Sequence, residues 1–339
     1  MGAPTIKPTK IQKKYKIYKF FHKKKQKMYI FLTKCYFLQL FLAKIWQNTD
    51  FFCIFAVDFE QHMDSICHSI RLGARLYELD HPLVMAIINA TPDSFFADSR
   101  AQDESSLRAA FTRAVNEGAD IIDIGACSTR PTVQSYTDPL VDEEQEWQRL
   151  CQALTIARDM SISFPISVDT FRAEVARRAI EQFGVEMIND ISGNSREMTE
   201  VVSGANVAYV LTYNRTHDTH QTGNLLADTI AFLSRGVDEL HRSGVSDVVI
   251  DPGFGFGQSV SESLSLLANL SALRHIGCPI LAGISRKRMA YEPAGQTPDT
   301  CLEQTLHLER QAILLGANIL RVHDVAATKQ MISQIENQS

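Results

Sequence analysis

A series of apolar runs in this chain stops, each time, at a polar residue. In order these stops are Asn89, then Asp123 with Ser128, Thr129 and Arg130 close behind, then Asp169, then Asn189 with Asp190. Thr212 to Asn214, Asp251, Ser285 with Arg286 and Lys287, and Arg321 with His323 complete the set. Carboxylates accept hydrogen bonds, an amide side chain both donates and accepts, and Arg, Lys and His hold anions. Any one of these residues has an ordinary explanation: Asp and Asn cap a following helix, and a Lys or Arg is a solvated rim charge. Eight polar stops in series are harder to explain that way. Other chemistry is poorly supported. The seven cysteines, at positions 35, 53, 67, 127, 151, 278 and 301, form no CxxC pair and no metal-ligand spacing, so they read as reduced thiols. Cys127 reads as a packing residue rather than a nucleophile. The glycine-rich DPGFGFG at 251–257 lacks the GK[ST] ending of a nucleotide loop.

The elements that must position these residues follow from the runs themselves. VMAIINATPDSF (84–95) begins as a bare apolar run, which suits a strand covered on both faces. It then switches to a polar turn punctuated by Pro92. The same rhythm recurs downstream, as a helical stretch, a Gly, a short apolar run and a polar stop. Gly118, Gly184, Gly204, Gly244, Gly277 and Gly316 mark it, and Gly is the expected residue just past a helix end. One more run, FPISVD (164–169), follows Phe164-Pro165 instead. Eight strands result, separated by helical stretches at 103–118, 142–159, 171–183, 224–243, 261–276 and 299–315. Strict alternation implies a parallel sheet with right-handed crossovers, and eight units predict an α/β fold of the (β/α)8 TIM-barrel type. A doubly wound open sheet is the alternative. SIRLGARLYELD (69–80) alternates around Gly73 and predicts a short N-terminal hairpin closing one end.

Charge divides the chain at about residue 62. Residues 1–62 carry twelve Lys and three acids, a net +9, and hold 14 of the 29 aromatics; the remainder is net −14. A net-acidic body argues against nucleic-acid binding, which needs a broad basic surface. The basic segment lacks the length for a membrane span: nine residues separate Lys34 from Lys44, and they include Gln39. It has no small-residue cleavage site. A basic helix lying on a membrane surface is one reading. The other is translated upstream sequence, disordered or a mis-assigned start, with Met63 opening a working domain over 63–339. No stable membrane insertion is expected.

These residues also carry a resemblance. VMAIINATPDSF, GADIIDIGACSTRP, PISVDTF, EMINDISG, DVVIDPGFGFG, GISRK and ILRVHDV stand in the order and approximate spacing of dihydropteroate synthase, over roughly residues 66–335. That pterin-binding TIM-barrel family joins 6-hydroxymethyl-7,8-dihydropterin diphosphate to p-aminobenzoate, releasing diphosphate on the route to folate. The resemblance implies that Asp251 accepts two pterin N–H bonds, that Asn189 reads the ring with its amide, and that Lys287 meets the ring carbonyl. Asp169 is implied as a further acceptor. Arg130, Arg321 and His323 are implied at the diphosphate, Asn89 at a Mg2+ ion, and Thr129, Pro131, Phe256 and Ser285 around p-aminobenzoate. A homodimer, a cytoplasmic location and competition by sulfonamides come with the family.

Some positions depart from the family pattern. Ala90 replaces a usual Val, Ala97 to Arg100 occupy a stretch where Gly is common, and Thr132 follows STRP in place of Gly. Gln258 replaces a frequent Lys, and TYN at 212–214 replaces a Met-His-Met run. Two competing readings therefore stand beside the synthase. One is a methyltetrahydrofolate-dependent methyltransferase on a similar barrel, against which SRK and RVHD speak. The other is a catalytically impaired pterin-binding paralogue, for which Asn214 and Gln258 are the support.

Overall fold

The computed structural model describes residues 69–90, 99–127 and 141–337, and of residues 99–103 only the backbone. The chain divides into two units, Met1–Ser65 and Ile66–Ser339, and all that follows concerns the second. Residues 1–62, on which the extension was read, lie outside the described residues.

Strands β1 (Ser69–Leu72) and β2 (Arg75–Glu78) form an antiparallel hairpin in which Leu72 pairs with Arg75. Ile70 and Leu72 are buried while Ser69 and Arg71 are exposed, the alternation that a one-sided strand requires. Eight parallel strands follow: β3 (Leu83–Asn89), β4 (Ile121–Gly125), β5 (Ile166–Asp169), β6 (Met187–Asp190), β7 (Ala208–Thr212), β8 (Val248–Asp251), β9 (Leu281–Ala282) and β10 (Ile319–Val322). Neighbours run in the order β8-β7-β6-β5-β4-β3-β10-β9, and a parallel bridge between Ile250 and Ile280 joins β8 to β9 and closes the ring. The expected barrel and its hairpin are both present.

Helices α1 (Ser99–Asn116), α2 (Glu143–Asp159), α3 (Ala173–Phe183), α4 (Arg196–Ser203), α5 (Leu225–Arg242), α6 (Val260–Ala268), α7 (Arg288–Tyr291), α8 (Leu302–Leu314) and α9 (Val325–Glu336) alternate with the strands. Their starts are written locally. Asp142, Ser195, Asn224 and Ser259 each accept a bond from a first-turn backbone N–H, and Ser259 with Glu262 makes a full capping box. The stretch expected as one helix over 261–276 is α6 followed by a 3-10 segment, Leu270–Ile276. Gly204 is the exception to the rhythm of left-handed glycines: its φ is −82°, and the Ala205 N–H bonds back to the Val202 carbonyl.

The two-residue period of the strands sorts side chains into two cores. Val84, Ala86, Ile122, Ile124, Val168, Ile188, Tyr209, Leu211, Ile250 and Leu320 point outward against the helices. Met85, Ile121, Met187, Ala208, Val210, Val249, Leu281 and Ile319 point inward, and Ile70, Leu72 and Leu79 of the hairpin cover them from below. The lower barrel is thus filled and plugged. Further along six of the eight strands the same inward row turns polar; on β3 and β9 it continues as Ile87 and Gly283.

Candidate active site

That upper row consists of Asp123, Asp169, Asn189, Thr212, Asp251 and Arg321, all at inward positions of their strands. Register sets their neighbours: Asp169 stands opposite Asn189, and Thr212 opposite Asp251. Side-chain bonds then cross the mouth. Arg321 Nε donates to Asp123 Oδ2 at 2.6 Å, and Arg321 Nη2 donates to Asp169 Oδ2, also at 2.6 Å. Asn189 Nδ2 donates to the same Asp123 oxygen at 3.1 Å. One guanidinium from β10 therefore joins β4 and β5, and Asp123 extends the network to β6.

The second half of the mouth is built around Lys287. Its Nζ donates to the Phe254 carbonyl at 2.6 Å and lies 4.8 Å from the centre of the Phe256 ring. A Cβ on Gly283 would stand 3.7 Å from Lys287 Nζ and 3.9 Å from Asp251 Oδ2, so both charged groups lie within van der Waals reach of that position. Ser285 Oγ bonds His323 twice, from the backbone N–H at 3.2 Å and with Nδ1 at 3.1 Å. Between Ser285 and Lys287, Arg286 takes the left-handed conformation with φ 57°, held by a two-pronged ion pair to Asp324 at 2.8 and 3.1 Å. The loops after β9 and β10 are locked side by side.

Burial dominates the electrostatics. It pushes the Asp169 carboxyl up, against the pull of Arg321 and with Asp123 adding to the rise. It raises Asp251 as well, opposed by Lys287 and by the Gly253 N–H, and lowers Lys287 to about 8. Desolvation disfavours every charge here, so the mouth is poised to gain from a ligand that supplies opposite charge and N–H donors. Two buried atoms of the row, Asp123 Oδ1 and Thr212 Oγ1, make no hydrogen bond among the described residues. Burial with Glu146 nearby raises the Cys127 thiol, which suits a packing role and not a nucleophile.

The structure thus brings together Asp169, Asn189, Asp251, Phe256, Lys287, Arg321, Ser285 and His323. Asn89 ends β3 as an exposed residue, opposite Gly125. Thr129, Arg130 and Pro131 lie outside the described residues. Asp123 is the residue the sequence reasoning left without a role; its inward position two residues past Ile121 was the available signal. Three stops counted in the series face elsewhere. Asp190 accepts from the Tyr209 hydroxyl at 2.6 Å in the outer layer, and Tyr213 belongs to that layer too. Asn214 is fully buried: its Nδ2 donates to the Ile191 carbonyl at 3.1 Å, and its Oδ1 accepts from Thr216. Gln258 likewise bonds its own loop. Both departures are buried and hydrogen-bonded to neighbouring backbone and side chains.

Comparison with known proteins agrees with this geometry. Residues 85–323 match the model of a family described as pterin binding enzyme. A dihydropteroate synthase of Clostridium beijerinckii is 32% identical over 262 residues, covering 76% of this chain and 94% of the relative. The structure of Xanthomonas albilineans dihydropteroate synthase with 4-aminobenzoic acid superposes with a TM-score of 0.72 at 33% identity, over 80% of this chain and 98% of the other. The same enzyme in complex with 7,8-dihydropteroate gives 0.69 at 32% identity, over 80% and 98% of the two chains.

Proposed function

We infer that this chain, which belongs to the dihydropteroate synthase family, is a transferase that joins 6-hydroxymethyl-7,8-dihydropterin diphosphate to p-aminobenzoate, giving 7,8-dihydropteroate and diphosphate. The observation that carries the reading is the inward polar row over a plugged barrel, Asp123, Asp169, Asn189, Asp251 and Arg321, with Lys287 beside it. A flat ring rich in N–H donors and bearing one carbonyl needs carboxylates, an amide and a cation around its edge.

In this reading Asp251 accepts two ring N–H bonds, Asn189 reads the ring with its amide, and Lys287 meets the carbonyl. Asp169 serves as a further acceptor beside Arg321, to which it is ion-paired. Asp123 orients both Asn189 and Arg321 and keeps one unused oxygen for the ring. Arg321, His323 and Arg130 meet the diphosphate, while Phe256, Ser285, Thr129 and Pro131 flank p-aminobenzoate. Departure of diphosphate leaves a pterin-stabilised cation that the free arylamine nitrogen attacks. An arylamine is unprotonated at neutral pH, so no general base is required, and catalysis rests on orientation and on charge stabilisation at the leaving group.

Asn89 offers one neutral oxygen at the rim. Among the described residues no group of three or more His, Cys, Asp or Glu could hold a metal by itself. That donor set fits a Mg2+ ion shared with phosphate oxygens, since this ion keeps most of its water and takes few protein ligands. Bound there, it would neutralise charge on the leaving group. We further propose that residues 63–339 are the catalytic unit and that it acts as a cytoplasmic homodimer, as the resemblance to the family implies. Sulfonamides would compete with p-aminobenzoate. Among the described residues no helix is long and apolar enough to cross a membrane.

The test is turnover by the full chain, following dihydropteroate and diphosphate together. Equimolar release of both supports the reading. No product with these substrates, alongside methyl transfer from methyltetrahydrofolate, would assign the barrel to the methyltransferase.

A further inference from the structure

The glycine-rich turn that leaves β8 is fastened by one side chain to which the reaction above gives no role. Gln258 is 7% exposed. Its Nε2 donates to the Gly253 carbonyl at 3.1 Å and to the Pro252 carbonyl at 3.4 Å. Its Oε1 accepts from Ser263 Oγ at 3.0 Å and from the Gly255 N–H at 3.4 Å. One amide therefore ties the start of the turn, its middle and helix α6. The turn needs such a tie. Gly253, Gly255 and Gly257 all have positive φ (68°, 85° and 68°), a backbone that costs much entropy to order. On its other side the turn packs flush: a Cβ on Gly253 would stand 1.9 Å from the Tyr213 carbonyl oxygen.

The same turn delivers three groups to the mouth. Asp251 Oδ1 accepts from the Gly253 N–H at 2.7 Å, the Phe254 carbonyl accepts from Lys287 Nζ, and the Phe256 ring lies against that ammonium. We propose that Gln258 is a positioning residue: by fixing the Gly253–Phe256 backbone it aims the Phe254 carbonyl and so sets where the Lys287 ammonium stands in the pterin site. The inference rests on the functional reading above. It also gives the departure at this position a physical content. A lysine could donate to the Pro252 and Gly253 carbonyls, yet it could accept nothing from Ser263 or Gly255.

Lys287 reports on the turn directly. Asp251 from β8, Asp169 from β5 and Arg321 from β10 face it, and burial already holds it at about 8. Losing a well-aimed carbonyl removes a bond to the charged form, so its pKa falls further. The experiment compares Gln258→Ala, Gln258→Lys and Ser263→Ala with the parent chain. Amine acylation at Lys287, read by peptide mass spectrometry across pH, gives its titration midpoint. We expect a downward shift of about one pH unit in Gln258→Ala, and a smaller one in Ser263→Ala, which removes a single bond. The KM for pterin diphosphate should rise about tenfold with kcat and the KM for p-aminobenzoate within about twofold. Should Gln258→Ala fail to fold, Ser263→Ala carries the test. An unshifted Lys287 midpoint in every folded variant, with only the melting temperature lowered, overturns the proposal and leaves Gln258 a structural residue. A parent chain that makes no dihydropteroate would sink the functional reading alone, because the labelling still decides Gln258.

Discussion

Lys287 and Asp251 respond to burial in opposite senses, and each moves toward neutrality. Lys287 is lowered to about 8 and Asp251 is raised. The proposed pterin recognition needs both charged. The Lys287 cation is present below about 8 and is lost as pH rises through that value; the Asp251 carboxylate is lost as pH falls through its raised value. Binding of pterin diphosphate, followed by calorimetry, is therefore expected to be bell-shaped with its alkaline limb near pH 8. Lys287→Arg stays charged and should lose that limb, at some cost in affinity from the changed geometry. A wild-type profile flat through the alkaline range would remove Lys287 from recognition. The proposed role of His323 belongs to the opposite moment of the reaction, when diphosphate charge grows. His323→Ala should lower kcat on the order of 10²–10³-fold, and a change confined to the KM for p-aminobenzoate would contradict the assignment. At this scale the sequence was informative wherever a polar residue ended an apolar run, as with Asn189, Asp251 and Lys287. Asp123 escaped a role because its partner Arg321 lies 198 residues away in the chain. Asp190 and Asn214 were grouped with the inward-facing positions because the inward parity of a strand becomes known only once its lower residues are seen to be inside.

Between helices α8 and α9 a buried carboxyl performs no part of the chemistry. Glu309 is fully buried; its Oε2 accepts from Thr328 Oγ1 at 3.0 Å, and its Oε1 makes no hydrogen bond among the described residues. Burial first, and Asp324 after it, push it up to about 8 from an ordinary 4.5, against the pull of Thr328. A folded-state pKa above the unfolded one means the folded protein binds the extra proton between those values. Stability should then fall as pH rises through that window and level off above about 8. Glu309→Gln is neutral throughout. Its melting temperature relative to the parent should climb by several degrees between about pH 5 and pH 8, since the term amounts to at most about 1.4 kcal/mol per pH unit. A constant difference across that range would mean the carboxylate is accommodated in place. Elements of this kind were legible where they were long and capped. Helix α4 was not, because its eight residues bury only Met198 and Val202. Strand β9 is two residues long, and PILAGIS read as a full strand because its neighbours bury it regardless.

Taken whole, the barrel is divided by height. Its lower interior is an apolar plug closed by the hairpin, and its upper interior is the polar row. The eight-fold architecture could be read from local sequence because each unit repeats a helical stretch, a short apolar run and a polar stop. The closing bridge between Ile250 and Ile280 could not, since it depends on the accumulated twist of every strand between. A chain starting at Met63 is expected to fold and to keep its activity; loss of either would make residues 1–62 part of the working protein. The division itself predicts that stability and recognition separate by layer. Met187→Ala, in the plug, should cost about 2–5 kcal/mol of stability with pterin affinity preserved in the folded fraction. Asp251→Asn replaces an acceptor by a donor facing a donor at nearly constant volume, so it should do the reverse. The most direct measurement is calorimetric titration of Asp251→Asn with 6-hydroxymethyl-7,8-dihydropterin diphosphate, paired with a melting curve of the same protein. Affinity reduced by about tenfold or more with an almost unchanged melting temperature is the predicted result. Unaltered affinity beside a large fall in melting temperature would contradict it, making Asp251 a structural residue and moving the pterin site elsewhere.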